Sequence, residues 1–592
     1  MRTFRWQSGL AFVAGLFWLA LVYGHTLNHP FHYDDKHSIK YNPHIRSLSN
    51  ASSFFTDLGS FSSDSRGRMF RPVLLLSYAL NYSWHGQNTE GYRIVNIVLL
   101  AMSGAIIFSV LAKQYGNLVI AGSASIFLLM HPTRTELINL ISSRSDLLVA
   151  LCVLSAIYLS VSGGSKRFQF ATYGFYVVGL LCKSIAVVLP VVLLLKDLSR
   201  CGIKKILDNV SLHATLAAIT TGYVCFLVWI GFISDSLSKA PRDFGVQFLT
   251  YLKTMVYYLW LFVNPVALSV EHEFMVAITP SEVILEFLFV ISLVICACRW
   301  RSHPLSWAIG WFAITILPVT LFPLNLLVSE RRLYLPSVGL SVGLAWCFWT
   351  WANYHRVQCF VGIASLCVVF SALSWQRNTI WETEISLWED AVRKAPRSDR
   401  ARVNLAIAYH QNGREPDALM QLRHAVEIHP KNSEAWAEIG SIFLDKGDHE
   451  RAEEAFIEAL NHGPWMSGVH YNLANLYQQQ GRLEEAIVRY TEALNVEPGY
   501  AQAHNNLGQA YEGTGQLDRA IFEYKTAVRA DSSLAPAWYN LAVLYERDGH
   551  KRLAKDAYYK AFVLLGLEEW KKNADSPKFR RLAKSGFERM NP

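Results

Sequence analysis

VHYNLANLYQQQGRLEEAIVRYTEALNVEP, residues 469–498, decides the fold of the last third of this chain. Its apolar and small residues recur at helical spacing on both sides of Gly481, so it reads as two short helices joined by a turn. A step of 34 residues in either direction finds the same pattern. Glycines fall at Gly413, Gly447, Gly481, Gly515 and Gly549, and alanines at Ala418, Ala452, Ala486, Ala520 and Ala554. A second alanine series runs Ala425, Ala459, Ala493, Ala527, Ala561, and a ring series Tyr409, Phe443, Tyr477, Tyr511, Tyr545. Small alanines let paired helices approach, the glycine turns the chain between them, and the ring fills the remaining gap. Five such units in register form a solenoid in which each repeat buries its apolar face against its neighbours.

This pattern is identified as the tetratricopeptide repeat, whose stacked helices wind into a superhelix with a peptide-binding inner face. The residue before the small pair of each first helix is Asn404, Glu438, Asn472, Asn506 or Asn540. An amide offers both a donor and an acceptor, which suits a peptide backbone whatever its side chains. Asn404, Asn472, Asn506 and Asn540 thus resemble the asparagine ladders of peptide-binding superhelices and are the expected acceptor-peptide contacts; Glu438 departs from the series.

The rest of the chain has another character. Of 592 residues, 52% are hydrophobic and the mean hydropathy is +0.18, but the apolar excess ends near Trp375. Before that point the sequence runs in apolar blocks of roughly 15–25 residues, the length a bilayer core demands. The expected architecture is all-α: a polytopic membrane domain over 1–377, a connecting helix over 378–399, five repeats over 400–567 and a capping helix or tail over 568–592. All nine cysteines lie in the first part, and the Cys296–Cys298 spacing reads as bilayer packing rather than a zinc site. A net charge of +8 is modest and reflects membrane topology, not nucleic-acid binding.

Eleven spans are expected, starting near Gly9, Tyr92, Leu118, Leu147, Thr172, Ile185, Leu212, Val283, Leu305, Leu335 and Val357. The first, with no small-x-small cleavage site behind it, reads as a retained signal-anchor. Arg2 and Arg5 place the N-terminus in the cytoplasm, and Lys166–Arg167, the cluster Arg200, Lys204 and Lys205, Arg299–Arg301 and Arg356 fall on the same side. This alternation requires Tyr251–Val263 to be re-entrant or interfacial, and it puts the loop HYDDKHSIKYNPHI (32–45) and the repeats together on the extracytoplasmic side. It also leaves Arg66, Arg68, Arg71, Arg134, Arg144, Lys183 and Arg331–Arg332 facing outward. Lys183 and the arginine pair lie between apolar runs, where an uncompensated charge is costly, so a bound anion is expected there. Arginine holds phosphate bidentately, which makes a lipid-linked phosphate the candidate.

YDDKHSIKYNP, FRPVLLLSYALNYSWHG with YRIVNIVLL, HPTRTELINLISSRSDLL, LLCKSIAVVLPVVLLL, NPVALSVEHEF, SERRLYLPSVGL and WQRNTIWETEISLWEDAVRKAP resemble, in order, the signatures of the transmembrane and tetratricopeptide-repeat O-mannosyltransferase-like family. That family is grouped with the GT-C glycosyltransferases. The resemblance implies an integral-membrane enzyme that uses a polyprenyl-phosphate sugar, dolichyl- or undecaprenyl-phosphate mannose in kind, and acts outside the cytoplasm on hydroxyls of protein acceptors gathered by the repeats. It implies that an acid of the first outer loop, Asp34 or Asp35, lies beside the acceptor. A carboxylate in hydrogen-bond reach can take the hydroxyl proton, while its neighbour orients the acceptor or holds a divalent metal.

Arg331, Arg332 and Lys183 are the expected donor-phosphate ligands. Pro132 ends a span, and His131, Glu136, Arg144 and Asp146 around it are expected to line the sugar site, with Arg71, Glu271 and His272. The rival is a catalytically silent membrane scaffold that gathers partners on its repeats. The absence of a retrieval signal and the compact size favour a bacterial inner membrane over the endoplasmic reticulum.

Overall fold

The computed structural model describes residues 2–63, 69–163, 165–201, 203–233, 243–299, 303–321, 326–565 and 576–589. Arg66, Arg68 and Arg301 lie outside them. Among the described residues the chain is helical throughout, without a strand. It divides into two compact units, Met1–Pro396 and Arg397–Pro592.

Among the described residues of the first unit, eight helices have the length and composition to cross a membrane: Trp6–Thr26, Thr89–Tyr115, Ile141–Ser162, Val210–Trp229, Gly245–Val263, Pro280–Arg299, Glu330–Ala352 and Arg356–Ile380. Leu118–Met130 and Pro304–Pro318 are shorter apolar helices. The expected spans near Thr172 and Ile185 form the helix Lys166–Cys182 and, after a 3-10 turn at Ser184–Val188, the helix Leu189–Cys201. The stretch expected to be re-entrant or interfacial is part of one helix, Phe244–Val263.

Three arginines are fully buried in this unit and tie loops to helices. Arg93 donates to the carbonyls of Leu27, His29, Pro30 and Asn139. Arg134 donates to the Leu128 carbonyl and to Ser337 Oγ. Arg144 bonds Asn96 Oδ1 at 2.9 Å and the carbonyls of Tyr92 and Ser77 at 2.9 and 3.2 Å. Most of their donors go to backbone carbonyls, as buried polar groups favour, while Arg93 Nε and Arg134 Nη1 are buried without a partner.

In the second unit the helix pairs follow the sequence period. Both alanine series are buried to 0% exposure. The five turn glycines have φ between 72° and 77°, a region in which a side chain is strained. Gly481→Val is therefore expected to cost about 1–2 kcal/mol, seen as faster amide exchange confined to the helices Ser467–Gln479 and Leu483–Val496. Arg482 stacks its guanidinium 4.0 Å above the Tyr477 ring and pairs with Glu453 and Glu485, bracing the same turn.

His470 and His504 occupy one register of the repeats. Each donates Nε2–H to the carbonyl six residues back, Pro464 at 3.0 Å and Pro498 at 3.1 Å. His504 Nδ1 lies 2.6 Å from Glu523, so both ring nitrogens donate and the ring is an imidazolium. Burial lowers the His504 pKa, but Glu523 and the Pro498 carbonyl outweigh it and raise it overall. A raised pKa stabilises below the unfolded value near 6.5, and the contribution disappears as pH climbs through the folded value. Hydrogen exchange across 501–530 should accelerate as pH rises above about 6.5, after correction for intrinsic rates, and His504→Gln should flatten that dependence.

Candidate active site

The loop that carries both aspartates is a short helix, Tyr33–Asp35, followed by a π turn, Lys36–Lys40. Its two acids have different fates. Asp35 points inward: its carboxylate accepts from Ile141 N at 3.0 Å and Ser142 N at 2.7 Å, and it is fully buried. Burial pushes its pKa up, against the pull of those two N–H groups. Asp34 points the other way. Its Oδ2 accepts from Arg331 Nη2 at 3.0 Å, across 297 residues of sequence, and its Oδ1 lies 3.9 Å from His37 Nε2. Burial pushes the Asp34 carboxyl up, but Arg331 and His37 outweigh it and hold it well below the usual range.

Arg331 is itself fixed by carboxylates. Its backbone N–H donates to Glu136 Oε2 at 2.9 Å, and Ser329 Oγ donates to Glu136 Oε1 at 3.1 Å. The guanidinium thus stands between Asp34 and Glu136, whose Oε1 is 3.9 Å from Nε. Burial raises the Glu136 pKa against the pull of Arg331. The helix Phe244–Val263 supports the segment from behind, with Tyr258 Oη donating to the Ser329 carbonyl and accepting from Ser329 N.

Two more cations face the same acids. Lys183 Nζ pairs with Asp146 Oδ1 at 2.6 Å, while Asp146 Oδ2 is buried without a partner. Burial lowers Lys183 to about 8, with Asp146 pulling the other way. Arg71 lies close enough to Asp146, Arg331 and Asp34 to feel their charges. Its described environment offers the Phe61 ring at 5.5 Å and no carboxylate partner. Asp34, Arg331 and Lys183 keep 37%, 20% and 17% of their side chains exposed, so the cluster opens to a ligand.

Of the residues the sequence named, Asp34, Arg331 and Glu136 meet, Asp146 and Lys183 pair, and Arg71 lies within reach of their charges. Others stand apart. Arg332 turns back to the carbonyls of Leu326 and Leu327 at 2.7 and 3.4 Å and closes its own loop. Arg144 is spent on Asn96 and on the carbonyls of Tyr92 and Ser77, as described above. His131 bonds Thr133 and the Phe262 carbonyl and stacks on Phe262 at 4.4 Å, which occupies both nitrogens. His272 bonds Tyr257 and lies 3.6 Å from Glu330, while the Glu271 backbone N–H takes Ser269 Oγ. Sequence reading passed over Glu330 and Arg377, a buried ion pair at 2.9 Å next to Arg331. Their signal was the charge adjacent to Arg331 in SERR and the arginine of WQRNT.

A divalent metal does not fit this donor set. Asp34 is neutralised by a guanidinium and Asp35 is spent on backbone N–H groups; among the described residues no three His, Cys, Asp or Glu side chains converge as ligands do.

In the repeats, Asn506 Nδ2 donates to Tyr471 Oη and Asn475 Oδ1, and Asn540 Nδ2 to Asn505 Oδ1. Asn404 donates to the Arg400 carbonyl, and Asn472 is half-buried.

A bundle of apolar helices enclosing an acid–base cluster, followed by a tetratricopeptide array, defines a polytopic membrane protein with a repeat domain. Family models described as TPR or tetratricopeptide repeat match residues 385–428, 416–464, 443–489, 474–515, 501–534 and 535–562. The chain is 26% identical to a protein O-mannosyl-transferase of Caenorhabditis elegans over 69% of its own length, 25% to protein O-mannosyl-transferase Tmtc3 of Drosophila melanogaster over 68%, and 24% to human protein O-mannosyl-transferase TMTC1 over 72%. It is thus similar to proteins named protein O-mannosyl-transferases, and it spans 61%, 53% and 56% of those three relatives. Among solved structures, the tetratricopeptide-repeat protein YrrB is similar at 19% identity, with a TM-score of 0.28, over 33% of this chain and 97% of that one.

Proposed function

We propose that this chain transfers mannose from a polyprenyl-phosphate donor to hydroxyl groups of a protein acceptor bound by its repeats, on the extracytoplasmic side of the membrane. The observation that carries the reading is the Asp34–Arg331 pair, with Lys183 and Arg71 beside it. An alcohol is a poor nucleophile, and Asp34 is the group placed to take its proton as the oxygen bonds to the anomeric carbon. The bond from that carbon to the phosphate oxygen breaks, and the lipid phosphate departs with the electron pair. Arg331, Arg71 and Lys183 neutralise the charge it carries away. Asp35 holds the loop in place. The names of the relatives support protein O-mannosylation in general.

The test is transfer of labelled mannose from a synthetic polyprenyl-phosphate mannose to protein acceptors by the purified full-length chain, with the modified residues located by mass spectrometry. Absence of transfer, with the repeats still capturing peptides, would favour the scaffold reading. A second result is expected in the pH profile. With burial holding Lys183 at about 8, its charge is lost above that pH, and kcat/KM for the donor should fall there. Lys183→Arg should move that limb to higher pH.

A further inference from the structure

The helix Glu384–Lys394 carries the chain out of the membrane unit, which ends at Pro396. It is tied to the two segments that bear Asp34 and Arg331. At its first residue, Glu384 Oε1 lies 3.3 Å from Lys36 Nζ and 3.4 Å from His32 Nδ1, the residues flanking the aspartate pair. Its other oxygen accepts from Trp388 Nε1 at 3.0 Å. The Tyr33 ring, next to Asp34, packs at 5.7 Å from Trp388 and 6.5 Å from Trp381. At the far end Lys394 Nζ donates to the Leu268 carbonyl at 2.7 Å. That carbonyl also takes Arg377 at 2.6 Å, and Arg377 holds Glu330, the neighbour of Arg331.

Docking of this helix does not require the charges. Leu387, Trp388 and Ala391 are buried and supply the apolar contact. An ion pair out of water adds little net stability, because desolvation offsets the attraction, but it fixes geometry. Burial pushes Glu384 up, yet His32 and Lys36 outweigh it and bring it down to about 2.

Resting on the glycosyltransferase reading above, we propose that Glu384 is a positioning residue: it fixes the turn 32–36 so that Asp34 meets Arg331, and the connecting helix thereby links the path of the chain into the repeats to the geometry of the reaction centre.

The test pairs an activity readout with one that needs no activity. In the full-length protein, Glu384→Gln should lower kcat about 10- to 100-fold, the scale of an ångström misplacement, with KM for the lipid donor unchanged. Hydrogen exchange of 32–41 should rise several-fold while the helices Thr89–Tyr115 and Arg144–Ser162 keep their protection. Lys36→Met cuts the same tie from its other end and should give the same result if Glu384→Gln accumulates poorly. The exchanged pair, Lys36→Glu with Glu384→Lys, should recover much of both. Unchanged exchange at 32–41 in both single variants, or a kcat equal to wild type, overturns the proposal. If the wild-type chain transfers no sugar but the exchange changes occur, the positioning of the turn stands and the glycosyltransferase reading fails.

Discussion

Asp34→Asn is expected to reduce mannosyl transfer by about 10³-fold or more while leaving the protein folded and membrane-inserted. General-base assistance contributes typically 10²–10⁴-fold, and among the described residues the neighbouring carboxylates are already engaged, Asp146 by Lys183 at 2.6 Å. Asp35 is spent on Ile141 N and Ser142 N, and Glu136 on Arg331 N and Ser329 Oγ. The amide has nearly the shape of the acid and can still accept from Arg331 Nη2, so the fall belongs to proton transfer and not to collapse of the loop. Asp35→Asn should behave in the opposite way. It places an NH2 group where an oxygen now accepts from backbone, and a buried mismatch of this kind costs about 1–3 kcal/mol. Its signature is reduced thermal stability and yield, with the surviving molecules retaining kcat. Measuring kcat and melting temperature for both variants separates the roles. Full activity in Asp34→Asn would remove Asp34 as the base.

How far the sequence revealed this arrangement depended on the range of the interaction concerned. The repeats were legible because their order is local: a 34-residue period places every glycine, alanine and ring in advance, and Gly413 to Gly549 take the positive φ that the turns require. The site was legible as a set of residue types and not as a geometry. Outward charge between apolar runs pointed to Arg331 and Lys183, but nothing in the string distinguishes Asp34 from Asp35, or Arg331 from Arg332. In each pair the choice is made by partners more than 100 residues away, or by a loop folding back on itself. The same holds for Arg144. A charged residue at the mouth of a span reads as cavity lining, yet its guanidinium serves the carbonyls of Ser77 and Tyr92. For Tyr251–Val263 the sequence offered charge alternation, which favoured an odd number of crossings, and the structure shows the stretch as part of one helix, Phe244–Val263.

Arg331→Ala should lower kcat/KM for the lipid donor roughly 10²–10³-fold, the scale of losing one preorganised donor to a developing oxyanion. Two effects combine in it. The variant loses the cation nearest the departing phosphate, and it also releases Asp34. Arg331 caps that carboxylate at 3.0 Å, and a base so capped is a poor proton acceptor. On the proposed mechanism, the donor phosphate would compete for the guanidinium and leave Asp34 free for the acceptor hydroxyl. The donor should therefore bind before the acceptor, and product inhibition by polyprenyl phosphate should be competitive with donor alone. Without Arg331, burial would raise Asp34, and only His37 would still pull the other way. A carboxylate acts as base only when ionised, so its activity is lost as pH falls through its pKa. The acidic limb of the free-enzyme profile should then move from below the usual carboxylate value of about 3.9 to well above it. Arg331→Lys keeps the charge but not the forked geometry that serves two oxyanions together, so it should recover donor affinity more than kcat. Asp34→Asn combined with Arg331→Ala should be little worse than either alone, since each single change already breaks the same unit. Fully additive losses would mean that the two side chains act independently and that their pairing is incidental to catalysis.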